Sequence, residues 1–358
     1  MRSPQFYKVL LKWYRVHGRH SLPWRHTKDP YHILVSEIML QQTQVERVIP
    51  KYRAFLRRFP TLKKLARASG ASVLGAWQGM GYNRRALFLK KCAEMYMREH
   101  GGKIPASFEA LRKLPGVGDY TARAVLSFAF KKRVALHDTN IRRIFSRIHF
   151  GKNPSAVAEK QIVRVITRNL PYHDTALYHG ALMDFGSIVC RPKPLCSICP
   201  MQKFCKAAPK VFAEGWQALE GRIVRHPQSK FEGSDRKIRG RIVDFLRCRK
   251  NATLQQIVDV IPAEGEMQRA LHFTGGIDVS NEWPAAKEGI QTPPSPPLGK
   301  GRNGLGDHFA GGLAVSSNMK PAQERNGGVV RNRLQKILRT LLRDGLVIKK
   351  GSIYQLPA

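Results

Sequence analysis

Apolar residues recur every three or four positions through most of residues 1–228, which is the spacing of amphipathic α-helices. The segments with this pattern are residues 31–40, 45–59, 87–97, 121–130, 141–148 and 156–170, and a first helix carrying Phe6, Leu10, Trp13 and Tyr14. Gly, Pro, Asn and Asp separate these segments, and none alternates in the way a strand does. We therefore expect a mostly α-helical fold here.

The C-terminal sequence is organised differently. The segments with helical or hairpin patterns are residues 236–247, 254–261, 331–343 and, after a turn signal at 344–345, 346–356. Three helices followed by a hairpin resemble a winged helix. We expect a small winged-helix-like α+β domain formed by residues 229–264 together with 329–358.

The insert between these parts, residues 265–328, is rich in Pro and Gly and lacks periodicity. Such a composition cannot bury enough apolar surface to offset chain entropy. We expect the insert to be disordered.

The chain of 358 residues has a formal net charge of +37, which far exceeds what solubility requires. Such a field favours polyanions, of which nucleic acid is the commonest large one; the alternative is a basic face that meets only solvent.

Charges interrupt the apolar N-terminal stretch, so we expect neither a signal peptide nor a membrane partner. The six cysteines do not resemble a secreted disulfide framework. We expect a cytoplasmic, nucleoid-associated monomer.

Four cysteines lie close together in the sequence, at Cys190, Cys196, Cys199 and Cys205. Their short intervals allow one compact loop to turn four thiolates toward a common centre. Four thiolates suit either a [4Fe–4S] cluster or a structural zinc ion. The spacing alone does not distinguish these two, and unligated cysteines are the third alternative.

A second motif, residues 114–118, reads Leu-Pro-Gly-Val-Gly between two predicted helices. Gly116 and Gly118 permit a close approach of backbone to a ligand, and the following helix N-terminus offers N–H groups and partial positive charge. This helix–hairpin–helix pattern indicates phosphate binding. The alternative is a tight turn without a ligand.

Glu37 shares a predicted helix face with the apolar residues Ile33, Leu34 and Leu40. A carboxyl in apolar surroundings has a raised pKa and holds a proton for donation. The alternative is a carboxylate at the edge of this face that reaches water or pairs with Arg47.

Asp138 lies directly before the predicted helix 141–148. It suits an N-cap, and the helix dipole favours its ionised form. An ionised carboxylate beside a protonated acid is the arrangement that cleavage of a glycosidic bond requires. Glu37 and Asp138 are therefore candidate catalytic residues.

These motifs carry a family resemblance over about residues 20–206. The matching stretches are LPWRHTKDPYHILVSEIMLQQTQV, QGMGYNRRA, GGKIPASFEALRKLPGVGDYTARAVLSFAF, HDTNIRRI and the cysteine loop. In order and spacing they resemble the helix–hairpin–helix base-excision DNA glycosylases, and among these the MutY-type adenine DNA glycosylases. The resemblance implies a two-lobed helical fold within residues 1–228, with a six-helix lobe at about 22–132 and a cluster lobe of 1–21 plus 133–206.

The resemblance also implies roles for individual residues. Glu37 matches the general acid, Asp138 the carboxylate that stabilises the sugar cation, and Tyr120 and Asn140 their supporting residues. Bifunctional relatives such as endonuclease III carry a lysine at the position of Tyr120. A tyrosine cannot form a Schiff base, so we expect a monofunctional enzyme that leaves an abasic site.

The resemblance implies that a further set of residues recognises the base and the DNA. The residues that match the base pocket are Trp24, Arg25 and Leu40, and those that match DNA contacts are Gln41, Gln42, Tyr82, Gly116, Val117, Gly118 and Thr121. Gln42 and Tyr82 match residues that wedge into the duplex, and wedging and base flipping are required because the glycosidic bond is inaccessible in stacked DNA. The four cysteines match ligands of a [4Fe–4S] cluster.

The expected substrate is duplex DNA with adenine mispaired opposite guanine or 8-oxoguanine. The alternatives are a thymine or uracil mismatch glycosylase and an inactive iron–sulfur DNA-binding protein. Three features depart from the family. The first cysteine gap is five residues where six is usual, Thr139 stands where glycine is usual, and a Nudix-like C-terminal domain is not recognisable.

Overall fold

The computed structural model of the chain describes residues 4–219, 233–261 and 320–358. The helices of the first range are α1 Pro4–His17, α2 Pro30–Leu40, α3 Val45–Arg58, α4 Leu62–Arg67, α5 Gly70–Ala76, α6 Arg84–His100, α7 Phe108–Arg112, α8 Asp119–Phe128, α9 Thr139–Phe150, α10 Glu159–Arg168, α11 Thr175–Ile188 and α12 Ala208–Glu214. Residues 4–219 contain no strand, so the mostly helical fold is confirmed. Across the described ranges, no helix combines the length and apolar character that a membrane span needs.

Four of these helices were not predicted from periodicity. Helices α4, α5 and α12 have only six or seven residues, too few to display a repeat. Helix α11 is longer, but it is buried on several sides and its apolar residues do not form a single stripe.

The helices pack around two apolar cores. One core contains residues of α2–α8, and the other contains residues of α1 and α9–α11. The region expected to hold six helices therefore holds seven, because the short α4, α5 and α7 contribute to it.

The C-terminal unit, residues 233–261 and 320–358, combines three helices with a small sheet. Its elements are α13 Asp235–Arg249, β1 Asn251–Thr253, α14 Leu254–Val260, α15 Lys320–Arg343, β2 Ile348–Lys350 and β3 Ile353–Gln355. The strands are antiparallel in the order β1-β3-β2. The predicted helices and hairpin are present, whereas β1 was not predicted because it has only three residues.

Helix α15 corrects one prediction. It begins at Lys320, so residues 320–328 are helical, although the sequence placed them in a disordered insert. Pro321 is compatible with a first helical turn, and each glycine inside a helix costs only about 1 kcal/mol. The remainder of that insert lies outside the described residues, as do residues 220–232.

The C-terminal unit packs directly against the first lobe. Their apolar residues form a single core, and the N–H groups of Gly70 and Ala71 donate to the carbonyls of Ala358 and Pro357 at 3.0 and 2.7 Å. A Cβ at Gly70 would come within 2.7 Å of the Pro357 side chain, so this approach requires glycine.

A buried ion pair joins the two lobes. Arg25, ahead of α2, donates through both terminal nitrogens to the Asp184 carboxylate of α11, at 2.7 and 2.8 Å. The Arg19 side chain adds a third bond at 2.8 Å. Burial tends to raise the pKa of Asp184, but hydrogen bonds and charge from the two arginines outweigh it, and the pKa is lowered.

We predict that Asp184→Asn lowers the free energy of unfolding by about 3–5 kcal/mol, because it leaves the Arg25 charge buried without its counter-ion. Urea unfolding at neutral pH measures this change. The difference from wild type should shrink as the pH falls below 3.8, where Asp184 itself becomes protonated.

The control is Glu99→Gln, which removes an exposed ion pair with Arg98. It should change stability by less than about 1 kcal/mol. Equal losses in the two variants would contradict a special role for the buried pair.

Candidate active site

Glu37 lies in the buried middle of α2. This helix begins behind the Asp29 cap, which accepts from the Tyr31 N–H at 2.8 Å, and its residues 33–39 are all buried. Only 6% of Glu37 is exposed, which excludes the alternative of a surface carboxylate. Burial raises the pKa of Glu37 to about 7; a hydrogen bond from Tyr120 opposes this rise, and the charge of Asp138 adds to it. A protonated acid near neutrality follows.

Asp138 caps α9, as its sequence position predicted. One carboxylate oxygen accepts from the Ile141 N–H at 2.6 Å, and the other accepts from the Asn140 side chain at 3.2 Å. Burial nevertheless raises its pKa, against these hydrogen bonds and the charge of Arg143. The hydrogen bonds at the helix start do lower the pKa of Asp138, as expected, but burial outweighs them. Thr139 is exposed at the first position of α9 and leaves the cap intact.

Tyr120 on α8 interacts with both carboxyl groups, and burial raises its pKa well above 10. Its hydroxyl interacts with Glu37 and makes a long contact, 3.9 Å, with the Met183 sulfur. The structure thus brings Glu37, Tyr120, Asp138 and Asn140 together from three helices. The site has protonated and charge-bearing groups but no amine at the Tyr120 position.

Arg143 is a residue that sequence reasoning missed. Its guanidinium donates to the Asn140 side chain at 2.5 Å and to the Gly186 and Cys190 carbonyls at 2.8 Å. It therefore connects the support of Asp138 to the start of the cysteine loop. The Arg-Arg pair after Asn140 was visible in the sequence, but two arginines on a basic chain gave no reason to select it.

The Gln42 and Tyr82 loops carry strained backbones. Both residues are exposed, and their φ angles are +56° and +47°, in the left-handed region that residues other than glycine rarely adopt. Each such residue costs of order 1–3 kcal/mol and persists where its surroundings impose it. Strain at two exposed side chains that the resemblance assigns to wedging indicates a functional constraint.

Arg85 supplies that constraint, and sequence reasoning did not select it. Its terminal nitrogens donate to the carbonyls of Ile38, Met39 and Gln41 on one side, and to those of Met80 and Gly81 on the other. The guanidinium also bonds the Thr43 hydroxyl at 3.0 Å and lies 5.4 Å from the centre of the Tyr82 ring. It is 7% exposed, and burial lowers its pKa to about 10. One buried cation thus ties the two strained loops together.

The glycine hairpin lies beside these loops. The Gln41 amide donates to the Gly116 carbonyl and the Thr121 hydroxyl, both at 3.3 Å. Gly116 has φ +75° and packs so closely on Phe88 that a Cβ would lie 2.8 Å from that ring. Gly118 is the N-cap of α8 without a side-chain cap, so the first N–H groups of this helix remain available to a ligand. Val117 is buried and anchors the turn.

The implied base-pocket residues divide into two groups. Trp24 and Leu40 are partly buried against the first core, with the Trp24 ring edge-on to Tyr52 at 5.5 Å. Arg25 differs, because its guanidinium is bound to Asp184 and to the Tyr14 hydroxyl at the lobe junction. Its polar end is therefore engaged away from any base.

The four cysteines of the loop line one cavity, together with Arg147 of α9. Arg147 is buried and donates to the carbonyls of Arg191 and Pro192 at 2.7 and 2.8 Å, and the Met201 N–H lies 3.4 Å from the Cys199 sulfur. In the parts of the chain that the structure describes, no three Cys, His, Asp or Glu side chains are arranged as ligands of a metal ion. The donor set still fits a soft centre, since the four cysteines line one cavity, with an Arg147 nitrogen 3.7 Å from the Cys190 sulfur and the Met201 N–H beside that of Cys199.

Comparison with known proteins places the chain in a family. Residues 35–168 match a protein family described as the HhH-GPD superfamily of base excision DNA repair proteins. An adenine DNA glycosylase of Mycolicibacterium smegmatis is 38% identical over 263 residues, covering 73% of this chain and 86% of that protein. An adenine DNA glycosylase of Mycobacterium tuberculosis is 39% identical, and the match covers 70% of this chain and 81% of that protein. The chain therefore belongs to the HhH-GPD superfamily of base excision DNA repair proteins and, within it, to the adenine DNA glycosylases.

The extent of the likeness varies among relatives. An adenine DNA glycosylase of Buchnera aphidicola is 39% identical, but the match covers only 58% of this chain and 59% of that protein. Among solved structures, a thermostable thymine-DNA glycosylase has TM-score 0.54 and 32% identity, covering 57% of this chain and 96% of that one. An endonuclease III–DNA complex has TM-score 0.52 at 21% identity, and the match covers 59% of this chain and 96% of that one. This last likeness supports the fold.

We predict that Arg85→Met loosens the Gln42 and Tyr82 loops, because it leaves five carbonyls without their shared donor. Amide hydrogen exchange in residues 41–43 and 79–82 should accelerate at least about tenfold, which corresponds to about 1.4 kcal/mol of local opening. Exchange in α9 should be unchanged. Arg98→Met, at the exposed end of the same helix, is the control; unaltered exchange in the Arg85 variant would contradict the clamp.

We also predict a pH-dependent stability difference for Glu37→Gln. Because the folded pKa of Glu37 is raised from 4.5 to about 7, the folded state binds more protons in that window, and stability falls as pH rises through it. The variant should lack this fall, which is of order 3 kcal/mol. Urea unfolding of both proteins at several pH values measures it, and parallel profiles would show that Glu37 titrates normally.

Proposed function

We propose that this protein is a monofunctional DNA glycosylase that removes mispaired adenine, opposite guanine or 8-oxoguanine, from duplex DNA. The observation that carries the proposal is the buried Glu37 carboxyl beside Tyr120 and Asp138, in a chain whose relatives are adenine DNA glycosylases. The enzyme acts as a monomer and leaves an abasic site.

The chemistry divides between the two carboxyl groups. Protonated Glu37 donates its proton to the departing adenine, so that the N-glycosidic bond breaks with its electron pair on the base. Ionised Asp138, held by the Ile141 N–H and Asn140, stabilises the positive charge that develops on the sugar. Water then gives its hydroxyl to C1′ and its proton to the acidic pair, which restores Glu37. Tyr120 orients Glu37 and offers no amine to attack the sugar.

Access to the base comes from the clamped loops. Gln42 and Tyr82 wedge into the duplex, while the N–H groups behind Gly118 bind a backbone phosphate. The displaced adenine enters the site beside Trp24 and Leu40. Unstacking costs a few kcal/mol, and pre-ordered loops avoid a further entropy cost at that moment.

We further propose that Cys190, Cys196, Cys199 and Cys205 hold a [4Fe–4S] cluster. The support is the cavity that all four line and the donors from Arg147 and Met201 around it. When bound, a cluster would cross-link the four cysteines and stiffen the loop, which Arg143 and Arg147 of α9 already contact through its carbonyls. The cysteine loop itself takes no part in base removal.

One observation favours a second candidate, a thymine or uracil mismatch glycosylase: the thymine-DNA glycosylase structure is 32% identical. Duplexes with A, T or U opposite G, and A opposite 8-oxoguanine, separate the two when abasic sites are revealed with alkali. We expect cleavage at adenine and no borohydride-trapped protein–DNA adduct. Release of thymine or uracil alone would overturn the adenine assignment, and Glu37→Gln should reduce release by more than about tenfold.

We predict that Asp138→Asn abolishes adenine release, because a neutral amide does not stabilise a developing cation. Asparagine remains a good N-cap, so the melting temperature should stay close to that of wild type. Single-turnover rates and thermal unfolding measure the two effects. Intact turnover with lowered stability would assign Asp138 a capping role only.

We predict about four irons and four sulfides per chain in protein made anaerobically with ample iron, with a broad visible absorption band. Serine substitution of Cys199 should reduce the iron content, while serine at the exposed Cys248 should not. Stoichiometric zinc in place of iron would refute the cluster.

A further inference from the structure

The end of the chain presents an unusually basic surface. Residues 331–358 contain seven Lys and Arg residues and one acidic residue, Asp344. Lys336, Arg339 and Arg343 are exposed and follow one another by three and four positions, so they lie on one face of α15. Lys349 and Lys350 of β2 are exposed as well, but consecutive strand residues point to opposite faces, and Lys349 lies 5.5 Å from the centre of the Tyr354 ring.

Arg333 is paired with Asp235 at 2.9 Å, whereas the charges of Lys336, Arg339 and Arg343 are not compensated within the described residues. No ion pair or hydrogen bond engages the side chains of Lys336, Arg339 or Arg343 there, and the sole acid is already bound: Asp344 pairs with Arg239 at 2.6 Å and with Arg84 at 3.5 Å. An exposed row of cations is often only solvated. Here, however, the row of cations is connected to the proposed active site, and the DNA that binds there is its partner.

The surface is anchored to the element that carries the wedge. Arg343 directly precedes Asp344, whose partner Arg84 lies two residues after Tyr82. The Arg84 guanidinium also lies 4.9 Å from the centre of the Phe88 ring, the ring on which Gly116 packs. The basic surface, the Tyr82 loop and the glycine hairpin are therefore linked through the start of α6. A duplex held by the Tyr82 loop would therefore pass near the Arg343 end of this surface.

We propose that Lys336, Arg339 and Arg343 form a second binding surface for duplex DNA that contacts its phosphate backbone without reading its sequence. This inference rests on the proposed function, since the duplex is the one that the active site engages. Exposed Lys and Arg side chains commonly contact phosphate oxygens, and such contacts position a protein on the duplex without carrying sequence information. The surface extends the DNA footprint beyond the wedged base pair.

The dimensions agree with phosphate contact. Lys336 and Arg343 are seven residues apart, about 10 Å along a helix, and one DNA strand carries a phosphate every 3.4 Å of its axis. Three side chains on this face therefore match about three phosphates. Each phosphate contact contributes about 0.9 to the slope of log affinity against log salt concentration.

The test compares two triple variants of the full chain. K336A/R339A/R343A removes the proposed surface. K8A/K12A/R15A removes the same charge from three exposed residues on one face of α1, in the other lobe. Fluorescence anisotropy with an undamaged 20-base-pair duplex, from 50 to 200 mM salt, gives affinity and salt slope.

We expect the α15 variant to bind at least about tenfold more weakly at 50 mM salt, with a slope shallower by about 2–3. The α1 variant should change both quantities much less. Unchanged binding by the α15 variant would overturn the proposal. Equal losses of affinity in both variants would also overturn it, because net charge and not this surface would then set the affinity. Thermal unfolding confirms that both variants are folded.

The readout separates this inference from the proposed function. Single-turnover adenine release at saturating protein should be nearly unchanged in the α15 variant, because the surface acts on binding. Absence of adenine release by wild type would refute the enzyme assignment and leave the binding comparison valid. Normal release together with unchanged binding would refute this surface alone.

Discussion

The buried pair of Arg25 and Asp184 is the contact on which the arrangement of the candidate site depends. Glu37 belongs to one apolar core and Asp138 borders the other, so their proximity is a property of the junction between the cores. Arg25 lies five residues before the first residue of the helix that carries Glu37, and Asp184 lies on a helix that packs against the one Asp138 caps. A bidentate bond fixes orientation as well as distance. The two acids can therefore face each other without touching.

Burial at this junction affects the acids unequally. It raises the pKa of both carboxyl groups, but Asp138 has a backbone N–H, an amide and a nearby arginine to stabilise its charge, whereas Glu37 has only the Tyr120 hydroxyl. One environment thus favours a protonated acid and a carboxylate side by side. The division of labour follows from the number of donors around each group rather than from residue type.

The sequence was sufficient for the features that local rules govern. The apolar spacing around Glu37 and the polar run at Asp138 predicted a buried acid and a helix cap, and both were found. Arg85 and Arg143 were not selected, because their value lies in carbonyls that folding brings from distant segments. Helix α11 was missed because it is buried on several sides, and the helical start of α15 at residues 320–328 was missed because these residues adjoin a segment rich in Pro and Gly without periodicity. Sequence patterns therefore predict the features that are determined by residues close together in the sequence.

The clamp at Arg85 has an electrostatic consequence for a protein that meets a polyanion. A buried guanidinium is usually neutralised by a carboxylate, as Arg25 is by Asp184. Arg85 is instead held by backbone carbonyls and a hydroxyl, which solvate the cation without cancelling its charge. The loops that it joins therefore keep a full positive charge just beneath their tips. In the proposed mechanism, the side chain that holds the strained Gln42 and Tyr82 loops also attracts them electrostatically to the phosphate backbone of the duplex.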